Sequence, residues 1–391
     1  MAAPGMSTKR AIVGAVLLDL AVSPLFAWDV FTDSLRRDLG TDDTLLAGVF
    51  SVGLLTFMVG VLVGGRVADS VSPRRLALVT AGGVVFGLLG SAAATSVATM
   101  TVAFGVLVGG STGLGYATAV RVAGTVRSRR GLALGLVVSA YAAGTAVLAP
   151  VAAALLVAVG RGWTFVLLAA VLGGVLAVAA VLVPGGSTAP HPARGRTPLR
   201  PSRLVVALWL IFGLGSAPAL AAFAQAGELA GTPSAVALAV PLLNIGNLVG
   251  RLVAGPLSDR VGRSAALHGN SALLVLACLP LAAGSRGPVA LLALLLLGTQ
   301  YGALSALTPA ATSDAVPSKR FGTIYGRVFT GWGLAGLLAP VAAAVIAARV
   351  GYDGAYRFFL VLAVLAWVCV AAYTRLVGDH SQATGHPQAG D

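Results

Sequence analysis

Long apolar stretches alternate with short polar breaks along the whole chain. Mostly apolar runs lie near 10–30, 44–66, 76–96, 99–124, 131–158, 162–184, 203–225, 233–257, 265–284, 288–311, 321–348 and 354–377. A helix needs about 20 such residues to cross the hydrocarbon of a bilayer, and helices apolar on every side need lipid or a very large core to hide in. The pattern predicts an all-α membrane protein with twelve transmembrane helices.

The breaks carry the charge, and its placement predicts direction. With the N-terminus inside, segments 66–75, 125–130, 185–203, 258–264 and 312–320 and both chain ends are cytoplasmic and hold 17 of the 26 Lys and Arg. The opposite loops hold six: Arg36, Arg37, Arg161, Arg286, Arg349 and Arg357. Asp29, Asp33, Asp38, Asp42 and Asp43 gather in the first external segment. Cytoplasmic loops carry an excess of Lys and Arg, so the expectation is a multi-pass protein of a cell (inner) membrane with both termini cytoplasmic. The longest break, 185–202, reads PGGSTAPHPARGRTPLRP, a composition suited to a flexible connector. It divides the chain into an N-terminal bundle (1–184), a cytoplasmic linker (185–202) and a C-terminal bundle (203–391), with disordered ends.

Composition agrees. Hydrophobic residues make up 57% and charged ones 10%, where a soluble domain carries about 25% charged residues. The net charge of +13 sits in short clusters between apolar runs and not on one stripe, so the partner is the bilayer and not nucleic acid. Cys278 and Cys369 lie inside apolar runs with no metal-like spacing. Lys9 and Arg10 before the first run resemble a signal peptide, but many apolar runs follow, so that run is read as a retained helix. Arg outnumbers Lys 24 to 2, which fits a GC-rich bacterial genome.

Self-comparison reveals a repeat. LAPVAAA occurs at 148–154 and again at 338–344, an offset of 190. The same offset carries Gly65 and Asp69 onto Gly255 and Asp259, and Arg129 and Arg130 onto Lys319 and Arg320. An offset spanning six helices keeps both halves in one orientation. Two parallel six-helix repeats with the solute between them are the plan of the major facilitator fold.

The chain resembles that superfamily across its length. The Gly-x-x-x-Asp segments resemble its cytoplasmic gating motif: GRVADSVSPRR (65–75) matches at Asp69 and Arg74 but has Ser70 and Ser72 where Arg and Gly are usual, and GPLSDRVGR (255–263) matches nearly throughout. The resemblance implies a gating role for Gly65, Asp69, Arg74, Gly255, Asp259, Arg260 and Arg263. SPLFAWDVF (23–31), DSVSPRR (69–75), RRGLALG (129–135) and FGTIYGRVFTGWGLAGLLAP (321–340) are similar to the oxalate/formate antiporter family and its monocarboxylate-transporter relatives.

Charges inside a membrane are expensive and usually face a cavity or a partner. Four stand out: Asp19, Arg121, Arg251 and Arg327. Arg251, within NIGNLVGRLVAG (244–255), has small and amide neighbours, and a guanidinium matches a carboxylate with two parallel hydrogen bonds. The subfamily resemblance implies that it binds a substrate carboxylate; pairing with Asp19 or capping of carbonyls is the alternative. Arg121 and Arg327 either contact substrate or extend to the interface. Asp19 is either a proton-coupling site or a fixed counter-ion for Arg121. Oxalate-transporting relatives carry a Lys where Trp332 stands, which implies a monocarboxylate or another small organic anion. Trp28, Tyr116, Tyr141, Tyr301, Tyr325 and Trp332 are candidate cavity walls, Gln300 and Asn247 candidate hydrogen-bonding groups, and Gly135 with Gly144, or Gly333 with Gly336, candidate pivots.

Neither a nucleophile elbow, nor metal-ligand spacing, nor a phosphate loop is present, so no enzyme, cofactor or metal site is expected. The reading is a secondary carrier of a small organic anion, by proton symport or anion exchange. An exporter of a hydrophobic drug or secondary metabolite and a non-transporting sensor are the alternatives, and two gating motifs disfavour the sensor.

Overall fold

In a computed structural model, residues 8–126, 128–186 and 203–384 are described. Most of the 185–202 connector and both chain ends lie outside them. Every regular element among the described residues is helical.

Ten helices are long and apolar enough to cross a membrane. Eight are single: Thr8–Ala21 with a 3₁₀ turn at Pro24–Ala27, Asp43–Ala68, Pro73–Ala92, Val97–Gly124, Arg203–Ala230, Pro233–Val261, Arg263–Ala282 and Pro288–Ala315. The other two, Arg130–Leu182 and Phe321–Thr384, run 53 and 64 residues. At about 1.5 Å per residue, each is more than twice the length a bilayer of about 30 Å can hold. Both break at a glycine: Gly160 (φ 75°, ψ 173°) and Gly351 (φ 77°, ψ 170°). A side chain with a Cβ disfavours such angles, so each long helix is two spans with a hairpin between. The described residues thus make twelve passes, called the first to twelfth spans below.

The first span is shorter than its apolar run. Its helix stops at Ala21, and after the 3₁₀ turn a separate helix, Asp29–Leu39, carries the acidic segment. Trp28 is buried at that junction, its ring 4.7 Å from Phe104.

The chain divides into two compact units. One comprises residues 1–193 with 318–326, the other 194–317 with 327–391. The division follows the mid-chain break except for 318–326, the start of the eleventh span, which groups with the first unit. The outer surface is apolar, with Phe86 70% and Val157 91% exposed. In water such a surface would aggregate; in lipid it is solvated.

The repeat is visible inside each unit as one tightly apposed helix pair. In the first unit the second span meets the fourth, and a Cβ on Gly60 would run into the carbonyl of Gly110. In the second unit the eighth meets the tenth, and a Cβ on Gly250, 190 residues on, would run into the carbonyl of Thr299. Small residues permit this approach, which dispersion and polar contacts reward where no hydrophobic effect operates. The copies differ in one respect: Thr101–Val108 of the fourth span is π-helical. The Thr56 hydroxyl lies 2.5 Å from the Gly105 carbonyl there and donates to it, supplying a partner where the regular ladder is disturbed.

Candidate functional site

In the first unit, polar contacts converge on Asp69, the last residue of the first Gly-x-x-x-Asp segment. Its Oδ1 accepts from Arg121 Nε at 2.9 Å and from the Gly322 amide at 3.1 Å, and its Oδ2 accepts from the Thr323 amide at 2.7 Å. The first amides of a helix have no partner within it, and its dipole favours an anion there, so Asp69 serves as the cap of the eleventh span. The carboxylate and guanidinium side chains are only 11% and 5% exposed. Gly65, one turn earlier, packs so closely on Gly322 that a Cβ would strike its carbonyl.

Other expected residues of this unit take different places. Arg74 lies not on Asp69 but at the end of the sixth span, donating to the carbonyls of Ala180 (3.1 Å) and Val181 (3.0 Å). Arg121, weighed as a substrate contact and as a counter-ion for Asp19, holds Asp69. Asp19 is fully buried in the first span. Tyr116 and Tyr141 meet edge to face at 5.9 Å. Both also pack on Phe57, and Phe26 meets Tyr141 at 5.6 Å. The Tyr116 hydroxyl is 3.1 Å from that of Tyr325, whose ring stacks on Phe321.

In the second unit, Arg251 is buried at 8% exposure. Its Nε donates to Asn247 Oδ1, one turn earlier, at 2.9 Å, and its guanidinium carbon lies 5.9 Å from the centre of the Tyr301 ring. The Tyr301 hydroxyl accepts from Trp332 Nε1 at 2.8 Å, and Phe223 meets the same ring edge to face. The eighth, tenth and eleventh spans therefore bring Asn247, Arg251, Tyr301 and Trp332 into one network. Gln300 is buried beside Tyr301 in sequence, and its Oε1 accepts no hydrogen bond from the described residues. Arg327 is half-buried in the eleventh span.

The second Gly-x-x-x-Asp segment is built differently. Asp259 pairs with Arg263 at 2.6 Å, and Arg263 also pairs with Asp314 at 2.8 Å and contacts Ser258. Gly255 is buried and Arg260 exposed.

Several participants were not anticipated. Asp314 lies 190 residues after Gly124, so the repeat could not point to it. The amides of Gly322 and Thr323 carry no side-chain signature. Ser216, fully buried with a hydroxyl that has no partner among the described residues, is a polar residue within an apolar run, a signal that was legible.

Comparison with known proteins places this architecture. The family described as Major Facilitator Superfamily matches residues 13–225 and 204–389. A curated relative, MFS-type transporter 1 of Ophiocordyceps sp. (strain BCC 1869), is 28% identical over 335 residues, 81% of this chain and 72% of that protein. The proton:xylose symporter XylE superposes with a TM-score of 0.73 at 14% identity, over 93% of this chain and 95% of that one. The transporter FucP, in the outward conformation, gives 0.73 at 14% identity, over 93% and 98%. The human organic anion transporter MFSD10 (TETRAN) gives 0.67 at 18% identity, over 93% and 99%. Twelve passes in two repeated halves, with a family match running through both, lead to one conclusion: the chain is a transporter of the major facilitator superfamily.

Proposed function

We propose that the chain is a secondary carrier of a small organic anion, a monocarboxylate, working by alternating access as a proton symporter or anion exchanger. The observation that carries this reading is Arg251: a permanently charged fork buried in the membrane-spanning region, its plane held by Asn247 and Tyr301. Such a group is costly to bury and is well matched to a carboxylate. Trp332 directs its indole N–H to Tyr301, so the eleventh span offers an aromatic wall where a second cation would suit a dianion. Asn247, Gln300, Tyr301 and Trp332, with Arg121, Arg327, Trp28, Tyr116 and Tyr141, are the proposed substrate-facing set. Asp19 is the proposed coupling carboxylate, in keeping with its complete burial. The ends bearing Asp69 and Asp259 are the proposed cytoplasmic gates, which puts both termini in the cytoplasm of a cell (inner) membrane. The anion reading rests on Arg251 and not on MFSD10, because sugar symporters share the fold equally well.

A second reading, export of a hydrophobic compound, is favoured by the ring cluster of Phe26, Phe57, Tyr116 and Tyr141. Labelled-monocarboxylate counterflow in proteoliposomes separates the two. The expected result is exchange in the wild type that Arg251→Gln lowers at least about 100-fold, since truncating a buried charge-paired contact costs about 2–5 kcal/mol. Undiminished exchange in the variant removes Arg251 from the site. No exchange in the wild type, with expulsion of an apolar dye, establishes the exporter.

A further inference from the structure

Where the first, third and sixth spans end together, two guanidiniums meet on one oxygen. Arg74 Nη2 donates to the Val181 carbonyl at 3.0 Å and Arg10 Nη2 donates to the same carbonyl at 3.1 Å. Two bonds of that length to one atom place the two nitrogens within about 6 Å of each other. Arg74 is further fixed: its Nε donates to Ala180 and its backbone amide to Pro184. The backbone of Gly185 packs on its guanidinium, so that a Cβ there would lie 3.2 Å from Cζ. Arg10 and Arg74 are both exposed, as are their neighbours Lys9 and Arg75.

A helix C-terminus carries about half a negative charge and is served by one guanidinium. Here two full positive charges converge on it. The acids closest in sequence do not offset them: Asp69 is committed to Arg121 and the eleventh-span amides, and Asp19 is fully buried two and a half turns beyond Arg10. The cluster is therefore strongly electropositive, prepositioned by backbone contacts, and located at a span end where lipid headgroups lie.

We propose that Arg10 and Arg74 form a binding site for a phosphate monoanion at the membrane surface, carried by an anionic phospholipid. Basic pockets between spans recognise phospholipid headgroups through these charge-assisted hydrogen bonds. A bound phosphate would relieve the repulsion between the two arginines and tie the first, third and sixth spans together.

The test uses the full chain in nanodiscs of equal phosphatidylglycerol and phosphatidylcholine, with retained lipids counted by native mass spectrometry. The wild type should retain phosphatidylglycerol in preference, and Arg10→Gln combined with Arg74→Gln should lower that preference about 30-fold. Arg10→Gln alone leaves every bond of Arg74 in place, should fold as the wild type does by thermal unfolding, and should lower it about fivefold. Arg286→Gln, in the loop before the tenth span, should change nothing. Added inorganic phosphate separates the sources: no displacement of lipid identifies the phospholipid, and displacement at millimolar concentration identifies a free phosphate as the ligand of the same arginines. Equal retention of the two lipids by the wild type, or unchanged preference in Arg10→Gln, overturns the proposal.

Discussion

The two Gly-x-x-x-Asp segments, 65–69 and 255–259, share spacing and repeat position but not wiring. Asp69 draws together the ends of the second and fourth spans and the start of the eleventh, through Arg121 and the amides of Gly322 and Thr323. Asp259 is held by Arg263, four residues on, which leans equally on Asp314 of the tenth span. The first circuit joins residues more than 250 positions apart; the second closes within one stretch of chain. A duplicated motif therefore preserved a carboxylate at a span end, while the surroundings chose its partner. The first copy is the one built to report movement of the eleventh span.

This contrast is breakable by substitution. The largest effect is expected from Asp69→Asn, which keeps the shape but leaves the buried Arg121 guanidinium facing a neutral amide, at about 3–5 kcal/mol. Its unfolding midpoint should fall, and adding Arg121→Gln should cost little more, because the two sites act as one unit. Additive losses would show that the circuit is not shared. Gly65→Ala comes next: the new Cβ must displace the Gly322 carbonyl, a strain of about 1–3 kcal/mol, read as faster unfolding and slower counterflow. Ala behaving as Gly would mean that 318–326 does not dock as described. The smallest effect belongs to Asp259→Asn, at about 0–1 kcal/mol, because Arg263 keeps Asp314. A loss matching that of Asp69→Asn would erase the distinction between the copies.

The arginines show where sequence reading reached and where it stopped. Six stood against the charge bias of the loops, and the structure accounts for several. Arg161 caps the end of the third span through the carbonyls of Ser91 and Ala94 and pairs with Asp38. Arg357 donates to the Ala282 carbonyl at the end of the ninth span and pairs with Asp353. Arg36 lies between Asp33 and Asp43. Each is held by a partner at its own loop, a contact that counting charges along a chain cannot register. Arg251 was conspicuous as a charge in an apolar run, and Asn247 was legible beside it, one turn away. The Tyr301 ring beneath Arg251 and the Trp332 N–H on Tyr301 come from helices 50 and 81 positions further along, and their meeting has no local signature.

The number of spans, the repeat and the candidate charges followed from the sequence itself, because the cost of placing each residue in hydrocarbon is local and adds up window by window. So did the glycine pairs, whose positions recur at the repeat offset. Which carboxylate meets which guanidinium, that Arg74 serves the sixth span and not Asp69, and that residues 318–326 join the first unit were decided only by tertiary structure. Pairing energy depends on separation and surroundings, and both come into being when distant helices pack.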